Sequence, residues 1–593
     1  MTLSSRRSSP ALANQREFNM RKERTVLRGR PVSPGAGFAE IMLFKKEAVK
    51  IPEEPAADIE QETGRFLSAL RRAVVEVEQF YADALERLGE TEAGIFDAHL
   101  SILKDEYSVE QPILDMIRTR SLNAAHAAEK QFSELVELFT GSDDPIFKER
   151  AADMADIKDI VVRNILGIPK QSLSKINRDV IILADDLAPS DMAGMDTARV
   201  AGIAVRLGGP TSHMAIISST LGIPAMVRTE SWDALDVNGA PAILDAVHGD
   251  LVLHPTDNDI NEFRLLSQKL KHEAVENTAY LNRESVTADG ERFHICANIG
   301  IPSDVSAARD NGAEGIGLFR SEFLYMNRGD IPTEDEQFEA YKTVLRAMGG
   351  KFVIIRTLDV GGDKELPALH LPREENPFLG CRAIRLCLSR EDIFMPQLRA
   401  LLRAGAFGNL GIMFPMISSM RELLAAKDLL ARAADELRGE GTAVGKPKIG
   451  IMIEIPSAAV LAEHFAEEVD FFSIGTNDLA QYTLAAERGN PNVEHLLSPY
   501  HPAVLRLISM AAGAASKARI MCGMCGEAAG DPLLLPLFVG MDIRELSMSP
   551  SKILPARKLL CSLRKDKCVE LVKKVLTLAD ADQVKALLQS GYE

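Results

Sequence analysis

The chain has 593 residues, too many for one hydrophobic core, and this length suggests roughly three to four domains. Apolar residues make up 46% and charged residues 26%, an ordinary globular balance, and no apolar run reaches the ~18 residues of a membrane span. A formal net charge of −17 argues against a general nucleic-acid binder and suits a partner protein that carries basic surface.

Seven cysteines in this length read as reduced thiols of a cytoplasmic protein, not as a disulfide framework. Cys522 and Cys525 form one C-x-x-C, but no second such pair or histidine pair completes a zinc set. Residues 1–28 form a basic arm, with Arg6, Arg7, Arg16, Arg21, Lys22, Arg24 and Arg28 against Glu17 and Glu23. It has no apolar h-region, so it is not a secretory signal; disorder is expected, with a transit peptide as the other reading.

Turn-rich residues 31–40 lead into an apolar strand over 41–44. From 59 to 166 the chain is rich in Ala, Glu, Leu and Arg, and Phe66, Leu70, Val74, Val77, Tyr81, Ala84 and Leu88 recur at helical spacing. About four helices, stacked as a bundle over 51–168, are expected. Short strands over 180–184, 200–205, 224–227 and 242–244 then mark a compact α/β unit. With the early strand it would comprise 29–50 plus 169–257, so the bundle is an insertion. A polar helix over 258–284 reads as a linker able to hold or swing its neighbours.

From 285 to 593, eight apolar segments alternate with helical patterns: 293–298, 315–319, 352–356, 410–416, 449–454, 471–474, 519–521 and 544–548. Eight β-α units predict a (β/α)8 TIM barrel; the alternative, an open doubly wound sheet, usually has fewer strands. The fold class is therefore multidomain α/β, with an inserted helical bundle and a C-terminal barrel.

Two features carry chemistry. In Gly208-Gly209-Pro210-Thr211-Ser212-His213, two glycines turn the backbone, two hydroxyls offer caps, and His213 opens an apolar helical run. The N–H groups and positive end of a helix suit a group that carries phosphate, although a capped surface helix with an incidental histidine looks the same. The other feature is the barrel rim, just past the strand C-termini. Arg320, Arg356, Arg382, Glu454, Asn477, Asp478, Arg488, Cys525 and Glu527 all fall there. Converging guanidiniums imply a small polyanion, and a carboxylate pair among them implies a hard divalent cation such as Mg²⁺. Cys525, on a glycine-flanked turn, is expected to face the ligand and to give a proton to carbon. Phosphoenolpyruvate fits, since its leaving enolate must be stabilised and then protonated, and His213 is a competent phosphoryl acceptor.

The blocks Gly312-Ala313-Glu314-Gly315-Ile316-Gly317-Leu318-Phe319-Arg320-Ser321-Glu322, Arg356-Thr357-Leu358-Asp359-Val360-Gly361-Gly362-Asp363-Lys364, Gly475-Thr476-Asn477-Asp478-Leu479 and Gly523-Met524-Cys525-Gly526-Glu527 are long and specific. Through them the chain resembles enzyme I of the bacterial phosphoenolpyruvate:sugar phosphotransferase system, over about 28–593. The resemblance implies that His213 is the phosphorylated nucleophile and Cys525 the proton donor. It implies substrate binding by Arg320, Arg356, Arg382, Asn477 and Arg488, and Mg²⁺ ligation by Glu454 and Asp478. It further implies a helical docking domain for the carrier protein HPr, with 95–100 and 149–153 on its helices, and a cytoplasmic homodimer formed through the barrel.

The dikinase and synthase relatives that share the histidine loop and barrel need a nucleotide-binding domain, whose place the helical block takes. In one respect the chain departs from the family. Pro210 and Ser218-Ser219 stand where it usually has Arg and an Ala-Arg pair, with Arg206 or Arg228 as candidate replacements. A phosphoenolpyruvate-sensing regulator with weak phosphotransfer is therefore the alternative function.

Overall fold

The computed structural model describes residues 23–45, 49–87, 90–140, 145–169, 173, 176–209, 212–326, 330–361, 369, 374–487, 490 and 492–590. The chain divides into two compact units, Met1–Ala274 and Val275–Glu593. Among the described residues, no helix is long and apolar enough to cross a membrane.

The first unit is built on an eight-stranded sheet, in the order β1-β8-β7-β3-β4-β5-β6-β2. Its strands are β1 (Thr25–Arg28), β2 (Arg30–Ser33), β3 (Ala36–Phe44), β4 (Val180–Ala184), β5 (Val200–Val205), β6 (Ala225–Val227), β7 (Pro241–Asp245) and β8 (Asp250–Leu253). Strands β3 to β6 are parallel, and β4 is buried along its whole length, as its run VIILA requires of a strand covered on both faces.

Between β3 and β4, sheet partners, the chain leaves to form the helical segment. Among the described residues it has five α-helices, where about four were expected: Ile59–Arg87, Glu90–Leu103, Gln111–Arg120, Ala124–Thr140 and Pro145–Leu166. The predicted face of the first helix is the buried one, with Phe66, Leu70, Val77 and Ala84 in a core closed by Phe96, Phe132 and Ile157. Leu88 lies outside the described residues.

Residues 25–28, expected within a disordered arm, form an edge strand. Thr25 to Arg28 pair antiparallel with β8, Leu27 is buried, and Arg24 is clamped on Asp259 at 2.7 Å. The rest of the arm, 1–22, lies outside the described residues. The polar helix is Asp257–Thr278, shorter than the predicted 258–284 at its C-terminal end.

In the second unit, eight parallel strands close into a barrel: β9 (His294–Ile299), β10 (Ile316–Arg320), β11 (Phe352–Arg356), β12 (Asn409–Phe414), β13 (Lys448–Ile453), β14 (Phe471–Ile474), β15 (Met521–Met524) and β16 (Glu545–Met548). The seventh strand starts later than the expected 519–521. The helix Pro502–Ala518 runs on to Arg519, whose left-handed φ of 58° ends it before a strand can begin.

Side chains alternate along each strand. Ile295, Ala297, Val353, Ile355, Leu546 and Met548 join the large core under the helices, while Leu318, Ile354, Met413, Met452 and Phe471 fill the barrel. Helices restart with good caps: Thr333 with Glu336 and Ser419 with Glu422 form reciprocal capping boxes. A well-made cap of this kind contributes about 1 kcal/mol.

Candidate active site

The rim of the barrel gathers most of the predicted residues. Arg320 ends β10, Arg356 ends β11, Glu454 follows β13, and Cys525 follows β15. Asn477 and Asp478 lie in the first turn of the helix Thr476–Leu484, directly after β14. Arg488 lies outside the described residues. Glu527 is exposed at the start of a short 3-10 helix.

The guanidiniums are not bare. Arg356 is buried and donates through Nη2 to Glu322, and its Nη1 lies 2.8 Å from Asp359. Arg382, 1% exposed, donates to the other Asp359 oxygen at 2.9 Å and to Tyr482 Oη at 3.2 Å. Its Nη1 also stands 3.5 Å from Asp478. Asp359 thus bridges Arg356, at the end of β11, and Arg382, in the connection that follows it, and this shared carboxylate fixes both forks. These charges hold both arginines' pKa values above their ordinary range, against the burial that would lower them. Arg320 is different: it is half-buried and, among the described residues, its side chain makes no ion pair or hydrogen bond. A half-exposed, unengaged guanidinium at the mouth is available to an anion.

Sequence reasoning passed over Glu322 and Asp359, although both stand in the motif blocks, two and three residues after a rim arginine. Arg-x-Glu and Arg-x-x-Asp were the available signals.

Glu454 is fully buried. Its Oε1 accepts from the Met416 backbone N–H at 2.6 Å, while Oε2 has no hydrogen-bond partner among the described residues. Burial pushes its carboxyl pKa up, and the negative charges of Asp478 and Asp359 push it further, against Arg356 and Arg382. Met416 holds a left-handed φ of 56° to present that N–H, a conformation that costs about 1 kcal/mol or more and is seen chiefly where function holds it. A buried carboxylate with one open oxygen beside a second carboxylate is a donor set that fits a hard divalent cation. No group of three or more His, Cys, Asp or Glu forms a metal site among the described residues, so such a cation would take its remaining ligands from elsewhere.

Cys525 lies at the rim but is only 3% exposed, more enclosed than its turn suggested. Its N–H donates to Ile474 O at 3.1 Å, and Asn298 Nδ2 donates to its carbonyl at 3.0 Å. Burial raises the thiol to about 12, with Ser473 and Arg356 pulling down and Glu545 and Glu454 pushing up. It is therefore a protonated thiol at neutral pH. Cys522, one of the other strand cysteines, points out of the barrel into the surrounding core.

In the first unit, His213 opens the helix His213–Thr220, and Ser212 is its N-cap, accepting from Ala215 N–H at 3.4 Å. Gly208 turns the preceding loop with φ at 91°; Pro210 and Thr211 lie outside the described residues. Arg206 is committed: it reaches Asp185 at 3.2 Å and Asp233 at 2.7 Å, and lies over the Trp232 ring. Arg228 is exposed, directly after β6, with a left-handed φ of 53°, and makes no ion pair or hydrogen bond among the described residues. Ser219 is exposed and Ser218 buried. In the helical segment, His99 is fully buried, 3.6 Å from Asp153, and so is not part of an open surface. The side chains of Glu149 and Arg150 lie outside the described residues.

Three family models match in chain order: "PEP-utilising enzyme, N-terminal" over 28–150, "mobile domain" over 176–249 and "PEP-binding domain" over 275–565. The chain belongs to the PEP-utilising enzyme family. Its relatives within that family include the phosphoenolpyruvate-protein phosphotransferase of Bacillus sp. (strain S), 44% identical over 97% of this chain and 99% of that one. The protein of the same name from Bacillus subtilis (strain 168) is 43% identical over 96% of this chain and 100% of the relative. A solution structure of an Enzyme I protein (nEIt) is 30% identical, with a TM-score of 0.37, and covers 41% of this chain and 99% of that one. The closed barrel is thus this family member's PEP-binding domain, and the sheet that carries His213 is its mobile domain.

Glu545, in the barrel interior, was also missed. It is fully buried and its carboxyl is pushed up to about 8, against a model-peptide value near 4.5. Between those values the folded chain keeps a proton that the unfolded chain releases, so rising pH favours unfolding. Glu545→Gln removes this titration, and the neighbouring thiols whose pKa values its charge raises stay protonated across the range. The variant is expected to gain stability over the parent, by on the order of a few kcal/mol, between about pH 5 and about pH 8. Denaturant unfolding at both pH values measures it; an equal difference at both would contradict the buried, protonated carboxyl.

Proposed function

We propose that the chain transfers the phosphoryl group of phosphoenolpyruvate to its own His213 and then to the carrier protein HPr, releasing pyruvate, as the first step of sugar uptake by the phosphotransferase system. The observation that supports this most is the rim itself. An unengaged Arg320, an Arg356–Asp359–Arg382 clamp and a protonated, buried thiol stand together in a PEP-binding domain.

In this reading Arg320, Arg356 and Arg382 bind the phosphate and carboxylate oxygens, joined by Asn477 and Arg488. Glu454 and Asp478 hold Mg²⁺, which when bound supplies Lewis-acid stabilisation of the negative oxygens. The fixed guanidiniums neutralise charge as the phosphorus–oxygen bond breaks, which is most of what phosphoryl transfer asks of a protein. The His213 imidazole takes the phosphoryl group, and the helix N-terminus beside it favours the charge that arrives. Cys525 Sγ–H protonates the enolate carbon, and the product leaves as pyruvate. The protein acts in the cytoplasm as a homodimer through the barrel, and HPr docks on the helical segment.

A second reading, a phosphoenolpyruvate sensor with weak transfer, draws support from Arg206, whose charge is spent on Asp185 and Asp233. Purified chain, phosphoenolpyruvate, Mg²⁺ and HPr decide between the two. The phosphoryl group is expected to pass to HPr with matching pyruvate release. Phosphate that stays on the chain while HPr remains unlabelled would overturn the carrier assignment.

A further inference from the structure

A phosphoryl group on His213 carries about two negative charges. The helix terminus beside it offers roughly half a positive charge, which leaves most of that load for side chains to answer. Among the described residues, Arg206, Arg228, Arg30 and Arg28 border the C-terminal ends of β5 and β6. Arg206 is spent on Asp185 and Asp233 and lies over the Trp232 ring. Arg28 stands 4.0 Å from Asp250, and Arg30 has a partner of its own. Arg228 is exposed, and its side chain makes no ion pair or hydrogen bond among the described residues.

The chain carries Arg228 past the foot of the histidine loop. Strands β5 and β6 run parallel, with Ala204 opposite Met226, and the loop that leads to His213 leaves the end of β5. A Cβ on Gly208 of that loop would lie 3.8 Å from Val227 Cγ1. Val227 also shares a core with Met214 and Ile217 of the His213 helix. On the other side of Arg228, the Thr229 N–H donates to Val205 O, at the end of β5, at 3.0 Å. Arg228 is thus fixed between two residues that touch the base of the loop. Its left-handed φ of 53° is uncommon for a long side chain and is the kind of conformation that clusters at functional sites. Regular alternation would send residue 228 to the face of Met226 and Trp232, where Arg206 already lies. The left-handed turn breaks that alternation, and among the described residues Arg228 joins neither Trp232 nor the two aspartates.

We propose that Arg228 is the guanidinium that receives the phosphoryl group at His213, neutralising it as it arrives from phosphoenolpyruvate and as it leaves for HPr. This rests on the phosphotransferase reading. In the first transfer the phosphorus–oxygen bond to the enolate breaks, its electron pair stays on that oxygen, and a nitrogen–phosphorus bond forms at the imidazole. In the second, that nitrogen–phosphorus bond breaks and the phosphoryl group passes to the carrier. Arg228 gives up no proton in either step. A guanidinium stays charged throughout, and its planar N–H fork matches the phosphoryl oxygens. Arg228 belongs to the mobile domain, so its charge stays with the phosphoryl group once the barrel arginines no longer hold it.

Arg228→Gly tests this in the full-length chain with phosphoenolpyruvate, Mg²⁺ and HPr. Glycine adopts a left-handed φ without strain, so the variant is expected to fold and to melt at or above the temperature of the parent. Calorimetric titration should show phosphoenolpyruvate bound as by the parent, because the barrel is untouched. Quenched flow should show phosphate reaching the chain about 10²-fold more slowly, the usual loss when one preorganised donor is removed. Arg228→Lys keeps a point charge and should recover about tenfold of that loss. A glycine variant phosphorylated within about threefold of the parent would overturn the assignment, being far short of a lost donor. A lysine variant as slow as the glycine one, or equal slowing in Arg206→Ala, would overturn it as well. A parent chain that takes no phosphate would instead fail the phosphotransferase reading.

Discussion

Replacing Cys525 with alanine is expected to leave phosphoenolpyruvate bound while pyruvate formation falls by about 10²–10⁴-fold, the usual weight of a positioned general acid. The thiol is enclosed at the end of β15, and its acidity is lowered by burial, which suits the proton-donor role proposed for it and not that of a nucleophile. It makes no ion pair, and Arg356 and Arg382 are anchored by Glu322, Asp359 and Tyr482. Binding should therefore survive its removal. Calorimetric titration with phosphoenolpyruvate and Mg²⁺ reads the first half and pyruvate assay the second. Unchanged pyruvate formation would remove Cys525 from the mechanism.

Arg382→Met is expected to act on both stability and binding. The guanidinium is buried and neutralises Asp359, with Asp478 close by, so its loss leaves buried carboxylates short of a counter-charge. Breaking such a pair from one side costs about 3–5 kcal/mol. The Asp359 bridge would loosen as well, letting the Arg356 fork lose its fixed angle. Arg382→Lys should not restore binding. One ammonium cannot serve Asp359 and the Tyr482 hydroxyl in the planar arrangement that the guanidinium uses. Thermal unfolding and phosphoenolpyruvate titration of both variants check this. A lysine variant that binds like the parent would show that charge alone suffices there.

The long-period features were legible in the sequence. The eight alternating apolar segments predicted the barrel, and the face from Phe66 to Ala84 predicted the buried side of the first helix. What escaped were features set by distant partners. The strand at Thr25–Arg28 is too short and too basic to stand out, and exists because β8 offers an open edge. Arg519 and Ile520 look like the start of a strand, yet the preceding helix runs through to a left-handed cap and delays it. The rim arginines were visible as residues, but their engagement was not. Glu322 becomes a partner of Arg356 only when the ends of β10 and β11 converge, and Asp359 joins Arg382 only when the connection after β11 folds back on itself.

Burial was the hardest property to foresee. A turn flanked by glycines suggested an open Cys525, but the barrel mouth closes over it. Glu545 looked like one polar residue in an alternating strand; its place between Gly317 and Gly523 depends on strands far apart in the sequence. The histidine loop stood out as a motif, and the structure adds the fate of its neighbours. Arg206 is occupied by two aspartates, whereas Arg228 stands exposed beyond β6.

The most direct test of the whole account is the intact mass of the chain after incubation with phosphoenolpyruvate and Mg²⁺. The account predicts a single acid-labile phosphate on the parent protein, absent from His213→Ala even though that variant still binds phosphoenolpyruvate. No added mass on the parent at saturating substrate, or the same phosphate on the His213→Ala variant, would contradict it.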